Sequence, residues 1–277
     1  MGSRCLIASP SVAEVMTPLP SPSPHVQAFR DGSIAWLVLN RPARRNALNA
    51  EMWAAIPPLM KSLDESAGVR AIVVRGSGHE AFAAGADISE FSETRHDARA
   101  AAHYEALNAE AFAAIRESAK PVIAMIQGIC FGGGLAVALA CDIRVADASA
   151  LFSLPPARLG LAYPLDGLRD LAAAVGPSAA KDLLFTARRL KAHEARHLGL
   201  IDHQFNDIEP ETRALCAAIA EGAPLTIRHA KRAIGMIAGR PAAEDLASLA
   251  AACFDSRDYA EGRAAFTEKR KPVFTGK

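Results

Sequence analysis

Two short β-branched runs, at residues 71–74 (AIVV) and 122–126 (VIAMI), each lead into a glycine-bearing loop and then into a helical pattern. Nothing else in the chain restricts its fold as much. Runs of this length, bounded by charge or glycine, read as strands buried on both faces. Helical segments between successive strands then imply an α/β architecture with a parallel sheet. The intervening segment 98–118 is Ala-rich with spaced Leu107, Phe112 and Ile115, an amphipathic helical spacing. Residues 133–141 predict a second, very apolar helix, and Ile143-Arg144-Val145 a strand after it.

Ahead of this unit, 26–29 and 34–39 flank Arg30-Asp31-Gly32, which predicts a β-hairpin, since Asp-Gly supplies the positive φ of a tight turn. Asn49 is placed to cap a helix reaching Glu65, with a kink or break expected at Pro57-Pro58. Residues 1–24, with Pro18, Pro20, Pro22 and Pro24 alternating with small residues, are expected to form a flexible tail. They lack the long apolar region of a signal peptide. A core domain is expected over 25–205. Helices are expected over 209–239 and 242–267, within a helical C-terminal region spanning 206–277.

With 277 residues, 51% of them hydrophobic, the chain can bury a substantial core, and a net charge of +1 argues against nucleic acid as the main partner. Five scattered cysteines show neither metal-ligand nor redox-motif spacing, so reduced thiols in a cytoplasmic protein are expected. No apolar run is long enough to span a bilayer.

The chemistry concentrates in the loops at 81–88 (AFAAGADI) and 128–135 (GICFGGGL). Three glycines at a strand-to-helix junction let a ligand approach the backbone and leave the first helical N–H groups unpaired. Those donors, with the positive end of the helix dipole, suit an oxyanion. A second N–H from the Ala86 loop would complete a two-donor site. Tight helix packing alone would also account for a glycine triplet.

Taken in order, the segments resemble the enoyl-CoA hydratase/isomerase (crotonase) superfamily. Leu39-Asn40-Arg41-Pro42 and Asn46-Ala47-Leu48 resemble its opening signature, followed by Ala84-Gly85-Ala86-Asp87-Ile88 and Gly132-Gly133-Gly134. Cys141-Asp142-Ile143-Arg144-Val145-Ala146, Leu183-Leu184-Phe185-Thr186-Ala187 and 195–202 (ARHLGLID) resemble later landmarks, and 266–274 (FTEKRKPVF) its ending. The resemblance implies a crotonase (ClpP-like) spiral of ββα units with a C-terminal helical trimerisation region. It also implies an acyl-CoA thioester as ligand, a homotrimer or dimer of trimers, and no cofactor beyond coenzyme A as part of the substrate.

By the same resemblance, the amides of Ala86 and Gly133 form the oxyanion hole. Ala84, Ala86, Asp87, Ile88 and Gly132 lie along the CoA arm, and Arg44 and Arg45 meet its phosphates. Lys269 reaches a neighbouring subunit's CoA. The two glutamates that hydratases of this family use fall at Ala136 and Pro156, which cannot move a proton, so the two-glutamate hydration route is not expected. The stretch 152–163 (FSLPPARLGLAY) resembles methylmalonyl-CoA decarboxylase, which implies that Tyr163 is an active-site residue. A buried Tyr163 bonded to a backbone group is the structural alternative.

Lesser acid–base candidates are Glu90, Glu93, His96, His103, Tyr104 and Asp166. His193, His197 and His203 read as surface or packing residues. Three functions therefore stay open: an enolate-stabilising lyase or isomerase, a malonyl-type acyl-CoA decarboxylase, and a non-catalytic acyl-CoA-binding scaffold.

Overall fold

The computed structural model of the chain describes residues 16–240 and 244–277. Its strands, in chain order, are β1 (Thr17–Ser23), β2 (Val26–Asp31), β3 (Ile34–Leu39), β4 (Ala71–Gly76), β5 (Ala81–Ala83), β6 (Val122–Ile126), β7 (Ile129–Phe131), β8 (Ile143–Ala146), β9 (Leu151–Ser153), β10 (Leu190–Lys191) and β11 (His203–Gln204). One sheet has the order β1-β2-β3-β4-β6-β8-β11 and the second β10-β9-β7-β5. Strands β3, β4, β6, β8 and β11 run parallel, while β1, β2 and β3 form an antiparallel meander.

The spiral is visible in the alternation. Strands β4, β6 and β8 enter the large sheet, and their successors β5, β7 and β9 enter the small one. Helices α1 (Ala50–Glu65), α2 (Phe91–Thr94), α3 (Ala98–Arg116), α4 (Gly133–Ala140), α5 (Pro156–Leu159) and α6 (Leu165–Thr186) close the turns. Each turn thus supplies a strand to each sheet and then a helix. Helices α7 (Ala192–His197), α8 (Ile208–Ala220), α9 (Pro224–Ile237), α10 (Leu246–Phe254) and α11 (Arg257–Glu268) follow.

The period-two side-chain alternation of strands divides the core. Ile72 and Val74 of β4, with Val122, Ala124 and Ile126 of β6, face the main core. Ala71, Val73, Ile123 and Met125 face a second core, shared with Ile208 and Cys216 of α8. Each fully buried branched side chain contributes about 1.5–3 kcal/mol, and burial on both faces explains why these strands read as unbroken apolar runs.

The predicted hairpin, helices and parallel strands are present, and Asn49 caps α1 by accepting from the Met52 amide at 3.0 Å. Two expectations change. Thr17–Ser23 is not part of a tail but the edge strand β1, paired with β2, so order begins before His25. Its prolines are exposed and need no ladder partner there, because an edge strand tolerates residues lacking an N–H. Helix α1 runs unbroken through Pro57 and Pro58, held by the buried Trp53, Ile56, Leu59 and Met60 around them. The helical region expected over 209–239 is present as α8 and α9. Residues 1–15 of the expected tail, and 242–243 of the expected last helix, lie outside the described residues.

Candidate active site

The loop after β5 is pinned by backbone bonds to the segment before α1. The Ala84 amide donates to Arg45 O (3.0 Å), Leu48 N–H to Gly85 O (2.8 Å) and Asp87 N–H to Leu48 O (2.8 Å). Asn46 braces the same corner, donating to Ser77 O and Ala81 O and accepting from the Arg41 amide. Gly85 adopts φ 111°, which L side chains rarely take, and this turn leaves the Ala86 amide without an acceptor among the described residues.

The second loop turns at Gly132 (φ 48°, ψ −117°), whose N–H donates to Ser153 O at 2.9 Å. Gly133 is then the first residue of α4, and its amide likewise has no acceptor among the described residues. The two amides are close. A Cβ on Gly133 would lie 3.4 Å from the Ala86 nitrogen, and one on Gly85 would lie 3.6 Å from the Gly133 nitrogen. Both residues line one cavity of about 410 Å³.

Most of that cavity is apolar. Trp53 closes it beside Gly133, 3.2 Å from the built Cβ, and Phe112 meets Trp53 edge-on with ring centroids 5.4 Å apart. Ala136 and Pro156 both face the cavity, so neither position brings a carboxylate to it. Its polar wall consists of Arg95, Glu105, Asn108 and Tyr163, with exposed Arg158 among the other lining residues.

The Tyr163 hydroxyl is buried and has no hydrogen-bond partner among the described residues, which does not fit the alternative of a backbone-bonded tyrosine. Burial pushes its ionisation up, reinforced by the nearby Asp170, Cys130 and Glu105, so the phenol stays protonated through the neutral range. Its ring packs directly over Gly167, where a Cβ would come within 2.6 Å.

Of the residues expected along the CoA arm, Ala84, Ala86, Gly132 and Ile88 line the cavity, Ile88 58% exposed. The Asp87 side chain turns inward instead and caps the short turn after it. It accepts from the Ser89 amide and hydroxyl and from Arg41 at 2.9 Å. Burial opposes its charge, yet the Ser89 and Arg41 hydrogen bonds hold it below the ordinary carboxylate range. Arg44 and Arg45 are exposed, with Arg45 joined to the loop through its carbonyl. Lys269, the exposed cap of α11, is not among the lining residues of this chain's cavity.

The lesser candidates take structural or solvent-facing places. Glu90 accepts from the Ala50 amide at the start of α1. Tyr104 accepts from Trp53 Nε1 at 2.9 Å, and burial pushes its ionisation up to about 12. Glu93, His96, His103, His193, His197 and His203 are exposed. Asp166 pairs with Arg169.

Trp53, Arg95, Glu105 and Asn108 were not singled out from the sequence. Glu105, Asn108 and Phe112 recur at i, i+3 and i+7 on α3, one helical face. That spacing was the available signal, since it sets two polar residues on the stripe that Phe112 continues into the core.

The fold and this loop pair define the class, and comparison with known proteins agrees. The family model described as enoyl-CoA hydratase/isomerase matches residues 30–277. A crotonyl-CoA hydratase of Syntrophomonas wolfei is 34% identical over 90% of this chain and 96% of its own length. A short-chain-enoyl-CoA hydratase of Clostridium acetobutylicum is 32% identical over 87% and 94%. The crystal structure of an enoyl-CoA hydratase/carnithine racemase from Magnetospirillum magneticum superposes with a TM-score of 0.87 at 36% identity, covering 93% of this chain and 97% of that one. The chain belongs to the enoyl-CoA hydratase/isomerase family of the crotonase superfamily.

Proposed function

We propose that the protein is a cytoplasmic acyl-CoA lyase or isomerase that stabilises a thioester enolate between the amides of Ala86 and Gly133. The carrying observation is that two neighbouring backbone N–H groups without protein acceptors border one cavity. As a bond to the α-carbon breaks, its electron pair moves towards the carbonyl and negative charge grows on the thioester oxygen. Donors already fixed in place stabilise that charge, by about 2.7–4 kcal/mol for one such donor in well-studied cases.

The Ala84-to-Ile88 backbone would run beside the pantetheine arm, with Arg44 and Arg45 towards the phosphates. Lys269 would act on a neighbouring copy of the chain in a homotrimer or dimer of trimers. Coenzyme A enters as part of the substrate, and the reaction asks for no metal or redox group.

Hydration through paired glutamates finds no support at Ala136 and Pro156. A second reading, decarboxylation of a malonyl-type ester, is favoured by the unpartnered Tyr163 hydroxyl. There, loss of CO₂ leaves its bonding pair as the enolate, which needs no base.

Infrared spectra of a bound ¹³C-carbonyl acyl-CoA test the first claim. The thioester band is expected to shift down on binding, and Gly133→Ala, which puts a methyl beside the Ala86 nitrogen, to remove the shift and lower turnover roughly 10²–10³-fold. A band unmoved from its free value would refute the oxyanion reading. Malonyl-type and crotonyl-type esters assayed side by side separate the reactions, and rapid hydration of crotonyl-CoA would refute the argument from Ala136 and Pro156.

A further inference from the structure

Four buried polar atoms on the cavity's polar wall have no partner among the described residues: Arg95 Nε, Glu105 Oε2, Asn108 Oδ1 and the Tyr163 hydroxyl. Buried polar groups are nearly always paired, so a cluster left open beside a cavity marks a place where a ligand completes the bonding. Their rigidity is visible. Glu105 Oε1 is held by Arg95 at 2.6 Å, and the Arg95 guanidinium lies 4.5 and 4.4 Å from the ring centroids of Phe91 and Tyr104. Asn108 is 5% exposed.

The chemistry of the wall selects its ligand. Arg95 and Glu105 cancel in charge, so the wall attracts no net anion. What remains open is a carboxylate oxygen and an amide oxygen, both acceptors, beside two donors, the Tyr163 phenol and the Arg95 Nε–H. A hydroxyl fits this set, giving its proton to Glu105 or Asn108 and accepting from Tyr163. A carboxylate would confront two acceptors.

Location adds a constraint. Phe112, on the same face of α3, touches Trp53, which in turn abuts Gly133. Glu105 lies seven residues before Phe112, about 10 Å along the helix axis. We propose that Glu105, Asn108 and Tyr163 form a specificity subsite for a hydroxyl carried on the acyl chain, beyond the carbons next to the thioester. This inference rests on the acyl-CoA reading above. It opposes the malonyl-type reading in its forecast for a carboxylated chain.

Calorimetric titration with hexanoyl-CoA, its 3-, 4-, 5- and 6-hydroxy forms and adipoyl-CoA decides it. A hydroxyl at carbon 4, 5 or 6 is expected to tighten binding roughly tenfold or more over hexanoyl-CoA. Asn108→Leu and Tyr163→Phe are expected to erase that advantage, read within each variant as the ratio of hydroxyhexanoyl-CoA to hexanoyl-CoA affinity. Neither variant breaks a hydrogen bond within the protein, so neither should lower the melting temperature, unlike removal of a structural group. No advantage at any position, an advantage confined to carbon 3, or tighter binding of adipoyl-CoA would each overturn the subsite. Failure of every CoA ester to bind would instead remove the acyl-CoA reading, and the subsite with it.

Discussion

At Gly134 a Cβ would lie 2.4 Å from the Ala83 carbonyl oxygen and 2.7 Å from the Ala83 Cβ, whereas at Gly133 the nearest atoms are 3.2 Å away. Gly134 therefore serves the packing weighed for the triplet, letting α4 press onto β5, while Gly133, which lines the cavity, is the glycine to which the oxyanion role is proposed. Gly134→Ala should destabilise the fold by about 1–3 kcal/mol through overpacking, measured by urea unfolding, while Gly133→Ala should cost much less stability and far more activity. The buried tyrosines give a pH signature. Folded Tyr104 and Tyr163 resist ionisation, so the stability they contribute is complete below pH ~10, their unfolded range, and is lost as pH rises through the folded values. Phenolate absorbance from these two residues should therefore appear only together with loss of the circular-dichroism signal.

Among the elements, α1 and β1 departed furthest from local expectation, and both contain proline. A proline inside a helix removes a hydrogen bond and disfavours the preceding turn, but packing of Trp53, Ile56, Leu59 and Met60 keeps α1 continuous. Pro58, exposed on that helix, should therefore be replaceable: Pro58→Ala is expected to raise stability by about 1–3 kcal/mol, read as a higher melting temperature. In β1 the prolines alternate along an edge, and Ser21 bonds across the turn to Val26 O, so a segment without apolar patterning is fixed by pairing. Helix α3 illustrates the reverse case: its periodicity was plain in the sequence, yet which of its polar residues would face the cavity was not.

For the molecule as a whole, the C-terminal helices leave large apolar side chains uncovered, among them Phe266 (88% exposed) and Ile237 (86%). With Phe254 and Tyr259, Phe266 borders a groove of about 600 Å³ between the last helices. Such a surface is what a self-associating face presents, in keeping with the trimer expected from the family. Sedimentation velocity should show a trimer or hexamer for the native chain, and Phe266→Asp should yield monomer.

By itself the sequence determined the strands, most helices, the two glycine loops and the family, because these follow from periodicity, turn chemistry and motif order along the chain. It also singled out Ala86 and Gly133, since the role proposed for them needs only backbone amides at readable turns. Only the tertiary structure decided that Asp87 turns inward to Arg41 and Ser89, that β1 joins the sheet, and that Arg95, Glu105, Asn108 and Tyr163 share one wall. Those outcomes depend on which surfaces meet after the spiral closes, and residues 95 and 163 come to line one cavity through packing that no local pattern encodes.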